Sequence, residues 1–378
     1  MKRTIQIISI LAAAISASSM TACGKKNDSA EKQEEKPKIV SSYENVDYEN
    51  NVCFDVQENG RLDFLDLGTL EESPACDAPS CKHREGSDCT AYGKSNHPFI
   101  SGKKLHYLKG TDMDAKKEYT SDTIMYSADV NGANEKQVAE IDGLSCNDYD
   151  RMAVCGGKAY IVMTRQPYDD DFKELEPSME LVAVTLDDGK VEKLGEVVKG
   201  YSCGTWVYGV WDGKLIFRTS KAADNRPFME RLQDFAEKNG LTESEALEQY
   251  TDAAEYKYEN LALDIDSGKI ESNPLPEPAA ISEKYYYYLK DGKVVCIGKD
   301  GGEEEIGGAE NVTNVTPING YALIDSEGGE YLYDEDGKKL AKLKESYDIA
   351  AIADRYAVVR SENGDGYEKM EVSEMEAK

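Results

Sequence analysis

Three cysteines and one of only three histidines fall within residues 76–89, in the order Cys76-x4-Cys81-x-His83-x5-Cys89. Three thiolates and an imidazole complete the tetrahedral shell of a structural zinc ion, and a loop this short can wrap one. The single residue between Cys81 and His83 is tighter than the gap usual in such sites. In an exported protein a disulfide joining two of the three thiols is the simple alternative, with one cysteine left over. Free thiols are the third. Either cross-link would brace a loop too polar to pack by itself.

Cys23 suggests chemistry of another kind. It follows Met20-Thr21-Ala22 at the end of an apolar run, with Lys2 and Arg3 ahead of that run. This is the pattern of a bacterial signal peptide cut and lipidated at a lipobox, with Met20 where Leu is usual. Residues 1–22 are expected to be removed, and Cys23 to carry a diacylglycerol and possess a fatty-acylated (palmitate-type) N-terminus. At roughly 0.8 kcal/mol per buried methylene, two chains hold a protein to a membrane effectively permanently. The apolar run is too short to span a bilayer, and no later stretch is long enough. Residues 23–50, rich in Lys, Glu, Ser and Asn, read as a solvated tether. The expected location is the extracytoplasmic face of the cell membrane, lipid-anchored.

Other reactive side chains read as structural. Cys155, Cys203 and Cys296 sit among apolar neighbours, where cysteine acts as a small hydrophobe. His97 and His106 have no local Ser or Cys partner in a catalytic arrangement. Trp206 and Tyr208 share one face of a strand and Trp211 the other, and blade packing is the expected use, ahead of stacking on a sugar. With 73 acidic residues in 378, paired carboxylates occur by chance and argue for no glycosidase. No EF-hand loop, P-loop or dinucleotide fingerprint occurs. The net charge of −29 excludes nucleic acid as a partner, since a basic face is lacking. An anionic membrane would repel the same field.

The elements that must position these residues are short hairpins. Strand, Gly or Asp turn, and aromatic-led strand recur from about residues 99, 153, 210, 281, 318 and 352, as in Ala153-Val154-Cys155-Gly156-Gly157-Lys158-Ala159-Tyr160. Most copies are followed by a second hairpin, such as the one turning at Asp187-Asp188-Gly189. Two hairpins in series make a four-stranded sheet with two faces to cover, and stacking such sheets about an axis covers them. A further unit from Val52, lacking its first strand, brings the count to seven. A short last unit suggests one blade shared by the two termini. The fold is therefore expected to be all-β, a seven-bladed β-propeller over residues 51–378. A small helical insertion interrupts it at about 227–251, with one helix at 227–238 and a second opened by the Thr242-x-x-Glu245 capping box.

The lipobox at Cys23, the stretch Tyr126-Ser127-Ala128-Asp129-Val130-Asn131-Gly132-Ala133-Asn134 and the Cys76–Cys89 cluster resemble propeller-type surface lipoproteins of Gram-positive bacteria, akin to TolB and YWTD propellers. That resemblance implies a surface propeller of undefined role and brings no catalytic residues. The reading is a non-enzymatic binding or protein-interaction module with an unknown protein or glycan ligand held over the central funnel. A transporter's solute-binding lipoprotein and an extracellular glycan-active enzyme are the alternatives.

Overall fold

Asp212-Gly213, with φ of 48° and 71°, closes a tight hairpin between Gly204–Trp211 and Lys214–Ala222. Gly156-Gly157, at 57° and 71°, does the same between Met152–Cys155 and Lys158–Arg165. Left-handed backbone at both central positions matches the twist of the flanking strands. Repetition of such hairpins along the chain yields seven antiparallel sheets, each a meander running from the axis outward. The computed structural model describes residues 36–375 apart from 42–44, 58, 95, 114–119, 147–149, 251–254, 335, 345–346, 354–355 and 361–365. Cys23, the signal segment and the tether up to residue 35 lie outside the described residues.

The chain is a seven-bladed β-propeller, as expected. Blades 1 to 7 cover residues 45–74, 99–141, 152–199, 204–272, 278–306, 312–342 and 349–371. Their inner strands are Asn45–Asp47, Phe99–Ser101, Met152–Cys155, Gly204–Trp211, Pro278–Ile281, Val312–Ile318 and Ile349–Ala353. Apolar residues fill the seams. Val52, Leu62 and Phe64 of blade 1 meet Ile100, Leu105 and Tyr107 of blade 2, and comparable clusters lie between later blades. At about 25 cal/mol per Å² of apolar surface removed from water, these seams are what makes a ring more stable than separate sheets.

Two expectations about the ends are corrected. Blade 1 has its own first strand, Asn45–Asp47, and blade 7 keeps three strands, all C-terminal. Among the described residues no blade is shared, and the ring is closed by side chains instead of a strand ladder. Cys53, Leu65 and Leu67 pack on Ala351 and Val358, and the Lys369 ammonium donates to the Gly68 carbonyl. The folded body also begins upstream of residue 51. Lys38–Val40 forms a fifth strand on the inner edge of blade 3, antiparallel to Met152–Cys155, with Lys38 beside Val154 and Val40 beside Met152. The short polar–apolar run Lys38-Ile39-Val40 within a charged tether gave little periodicity, and only the open edge of blade 3 selects it.

The helical insertion lies where the capping signals put it, between the second and third strands of blade 4. Helix α1 is Phe228–Asn239 and helix α2 is Glu243–Tyr250. Gly240 ends α1 at φ 65°, and Thr242 and Glu245 exchange backbone-to-side-chain bonds of 2.8 and 3.3 Å at the start of α2. With so little helix among the described residues, the architecture is not the alternating strand–helix body of the solute-binding alternative.

Candidate metal centre and axial pocket

The loop joining blades 1 and 2 brings Cys76, Cys81, His83 and Cys89 together, with one ligand atom from each lying within 4.8 Å of all the others. Cys76 and Cys89 are buried and the other two half-buried. No disulfide joins the described cysteines. Cys89 Sγ is 3.5 Å from His83 Nδ1. A tetrahedral ion with bonds of about 2.3 Å to sulfur and 2.0–2.1 Å to nitrogen sets that edge at about 3.6 Å. The residues present fit a metal ion.

The loop's backbone aims donors at the sulfurs. The His83 amide donates to Cys81 Sγ at 3.4 Å, and the Ala78 and Ala91 amides stand in the same i+2 relation to Cys76 and Cys89. Burial pushes both Cys76 and Cys89 up. At Cys76 the Thr90 hydroxyl and the amides of Ala78 and Thr90 outweigh it and bring the thiol below its ordinary value. At Cys89 burial prevails, reaching about 11, with the neighbouring thiols adding to it. His83 takes a left-handed φ of 49° to turn its ring inward, and the Tyr92 hydroxyl holds its carbonyl at 3.0 Å. Gly132 of blade 2 approaches so closely that a Cβ there would meet the carbonyls of Ala75 and Thr90 at 2.5 and 2.7 Å. The Asp129–Asn134 turn of the sequence signature is thus the platform on which the cysteine loop rests.

The same loop is pinned farther along. Lys94, only 3% exposed, reaches Glu135 at 2.7 Å, and Lys109 reaches it at 3.0 Å. The Tyr107 hydroxyl donates to the same carboxylate. Burial raises the Glu135 carboxyl, but these donors overcome it and hold it down to about 2. His97 is fully buried, with Nε2 2.6 Å from the Asp150 carbonyl. That contact requires a proton on Nε2, so the ring cannot serve as a base toward Cys146 Sγ at 3.8 Å. Among the remaining cysteines, Cys155 and Cys296 are buried as expected and Cys203 is half-buried.

A cavity of about 740 Å³ lies on the propeller axis. Its rim is built at the end where inner strands start and second strands finish. Arg151 precedes the inner strand of blade 3, Asp348 that of blade 7, and Asp55 and Arg360 end the second strands of blades 1 and 7. Ile39 and Ser41 of the N-terminal segment line it as well. The Arg360 guanidinium is 3.4 Å from Asp348, 3.9 Å from Asp55, and donates to the Tyr367 hydroxyl at 3.1 Å. Burial raises the Asp55 carboxyl, opposed by Arg360.

Trp206 also lines this cavity and is 41% exposed, with the Arg151 guanidinium 4.1 Å from the ring centre. The expected blade packing holds for Trp211, at 6%, and not for Trp206. A bulge between Val207 and Gly209 shifts the register of this strand, and Trp206 and Tyr208 both line the cavity. Gly209, where a Cβ would lie 3.0 Å from Ile281, is the one sequence mark of that irregularity.

No family model matches this chain, and no curated protein matches it. Solved structures do. The β-propeller domain of the Trilobed protease from Pyrococcus furiosus is 13% identical, covering 85% of this chain and 88% of that one with a TM-score of 0.37. Oligogalacturonate lyase from Vibrio parahaemolyticus is 11% identical over 88% and 87%, TM-score 0.42. Acylaminoacyl peptidase from Pyrococcus horikoshii is 13% identical over 82% of this chain and 46% of its own length, TM-score 0.40. At these identities the likeness is one of fold. It corrects the expectation that the chain is not an enzyme, because propellers of this kind occur in a lyase and in peptidases and the fold gives no ground for excluding catalysis.

Proposed function

We propose that this protein is a lipid-anchored extracytoplasmic propeller, akin to the surface lipoproteins of Gram-positive bacteria, that receives a protein or glycan ligand in its axial pocket. The observation that carries this reading is the composition of that pocket. An exposed indole, three tyrosines, and guanidinium and carboxylate groups converge on one cavity at the ring's centre. Ligand seats combine apolar platforms with a few convergent polar groups in this way. Anchoring rests on Cys23 and its preceding segment. The Cys76 cluster is proposed to hold zinc, bracing the loop between blades 1 and 2, because three thiolates with one imidazole favour that ion.

Only two tryptophans are present, and Trp211 is buried, so a change in emission reports on Trp206. Panels of oligosaccharides and peptides titrated against the full chain are expected to include members that alter this emission. Thr316→Trp, which fills the pocket wall, is expected to abolish their binding measured calorimetrically. Binding that survives Thr316→Trp in a folded variant refutes the axial seat. Loss of fatty-acid labelling in Cys23→Ser tests the anchor separately.

A further inference from the structure

The N-terminal segment enters the propeller at a defined end. Lys36 pairs with Glu283, in the turn after the inner strand of blade 5, at 3.0 Å. Lys38 donates to the Ile100 carbonyl of blade 2 at 3.2 Å and pairs with Asp47, at the close of the inner strand of blade 1, at 3.0 Å. Lys38 also lies beside Val154, next to the Gly156-Gly157 turn. All of these mark the end where inner strands finish. The pocket's rim, with Arg151, Trp206 and Asp348, is at the end where they start.

Charge divides along the same axis. Connections between second and third strands lie at the pocket end, and there blade 3 carries Asp169, Asp170 and Asp171 while α1 adds Glu230, Asp234 and Glu237. At the opposite end the turns mix acidic and basic residues. Lys190 follows Asp187 and Asp188, Lys269 follows Asp264 and Asp266, Lys284 follows Glu283, and Lys299 precedes Asp300, with all four lysines exposed. Much of the acidic excess therefore belongs to one end of the molecule.

We infer that the anchored protein stands on the less acidic turn end against an anionic lipid surface, with its more acidic end and pocket mouth directed away from the bilayer. The inference rests on the lipid anchor at Cys23. Residues 24–35, drawn out fully, reach about 40 Å at 3.3–3.6 Å per residue. Turning the pocket toward the lipid would require that leash to cross the radius of a four-stranded blade and then the height of its strands. With three gaps of about 4.8 Å across blade 5 and six-residue strands rising about 3.3 Å per residue, that path is roughly 35 Å, well beyond the r.m.s. span of about 17–21 Å of a flexible twelve-residue chain. An anionic surface repels the more acidic end more strongly than the mixed-charge end within a Debye length of about 8 Å. Leash and field select the same pose.

The test uses the full-length acylated chain in vesicles of phosphatidylcholine and phosphatidylglycerol, with acceptor dye on the outer-leaflet lipid. A donor dye on a bioorthogonal side chain replaces either Lys299, at the turn end, or Glu237, on α1. Severalfold greater energy transfer from position 299 is expected. Equal or reversed transfer in protein whose acylation is verified by mass overturns the orientation while leaving the anchor intact. A chain that carries no acyl group and does not bind vesicles overturns the anchor and, with it, this inference.

Discussion

Chelation of the proposed zinc should lower the melting temperature by a calculable amount. The four ligand atoms already lie within 4.8 Å of one another, and a tetrahedral shell needs edges of about 3.6–3.8 Å. Closing the remaining gap, about 1 Å or less, is within the reach of side-chain rotation, so the loop binds without rebuilding its backbone. An ion present at a thousand times its dissociation constant stabilises the folded state by about 4.1 kcal/mol. For a body of roughly 330 residues, unfolding entropy of about 2.1 cal/mol/K per residue amounts to about 0.7 kcal/mol/K, so the expected fall is about 6 °C. Scanning fluorimetry with and without chelator measures it, and elemental analysis should find one zinc per chain. Cys89→Ser should melt lower than the wild type and no longer respond to chelator. A chain with no bound metal, whose melting temperature falls with a thiol reductant and ignores chelator, refutes zinc in favour of a disulfide.

Three further outcomes follow from buried groups. His106 is 4% exposed, stacks on Phe99 at 5.1 Å, and is held down to about 4 first of all by burial. The unfolded chain therefore binds the extra proton between pH 6.5 and 4, stability falls as pH drops through that window by about 3 kcal/mol, and His106→Phe should flatten this part of a pH–denaturation series. The depressed Glu135 carboxyl contributes stability above pH 4.5 that is lost as pH falls toward 2. Glu135→Gln leaves Lys94 buried without its counter-charge and should cost about 3–5 kcal/mol in urea unfolding at pH 7. Gly189→Ala places a Cβ 1.9 Å from the Val138 carbonyl at a φ of 71°, and should lower the urea midpoint more than Gly213→Ala, where φ is also 71° but no atom lies within 4 Å.

How much was legible differs from one feature to the next. The blade hairpins were readable because Asp212-Gly213 and Gly156-Gly157 meet a local demand for left-handed backbone, and the helices because Gly240 and the Thr242–Glu245 pair satisfy orphaned backbone groups within a few residues. The cysteine cluster was readable as a ligand set since its members are close along the chain. Its i+2 amide donors were not, since they depend on the path the loop takes over Gly132.

By itself the sequence determined the local periodicities, the turns, the acidity and the four clustered ligands, all of which depend on neighbours a few positions apart. Tertiary structure alone decided how the ring shuts, which end the N-terminal segment enters and what lines the axis. Val52 and Val358 are joined to their seam partners by no sequence spacing. Lys38–Val40 becomes a strand only because blade 3 offers an unpaired edge, and Trp206 comes to line the axial cavity on a strand whose register a bulge shifts. Such outcomes are set by which surfaces remain uncovered once every sheet has formed, a property of the closed ring and not of any one stretch of chain.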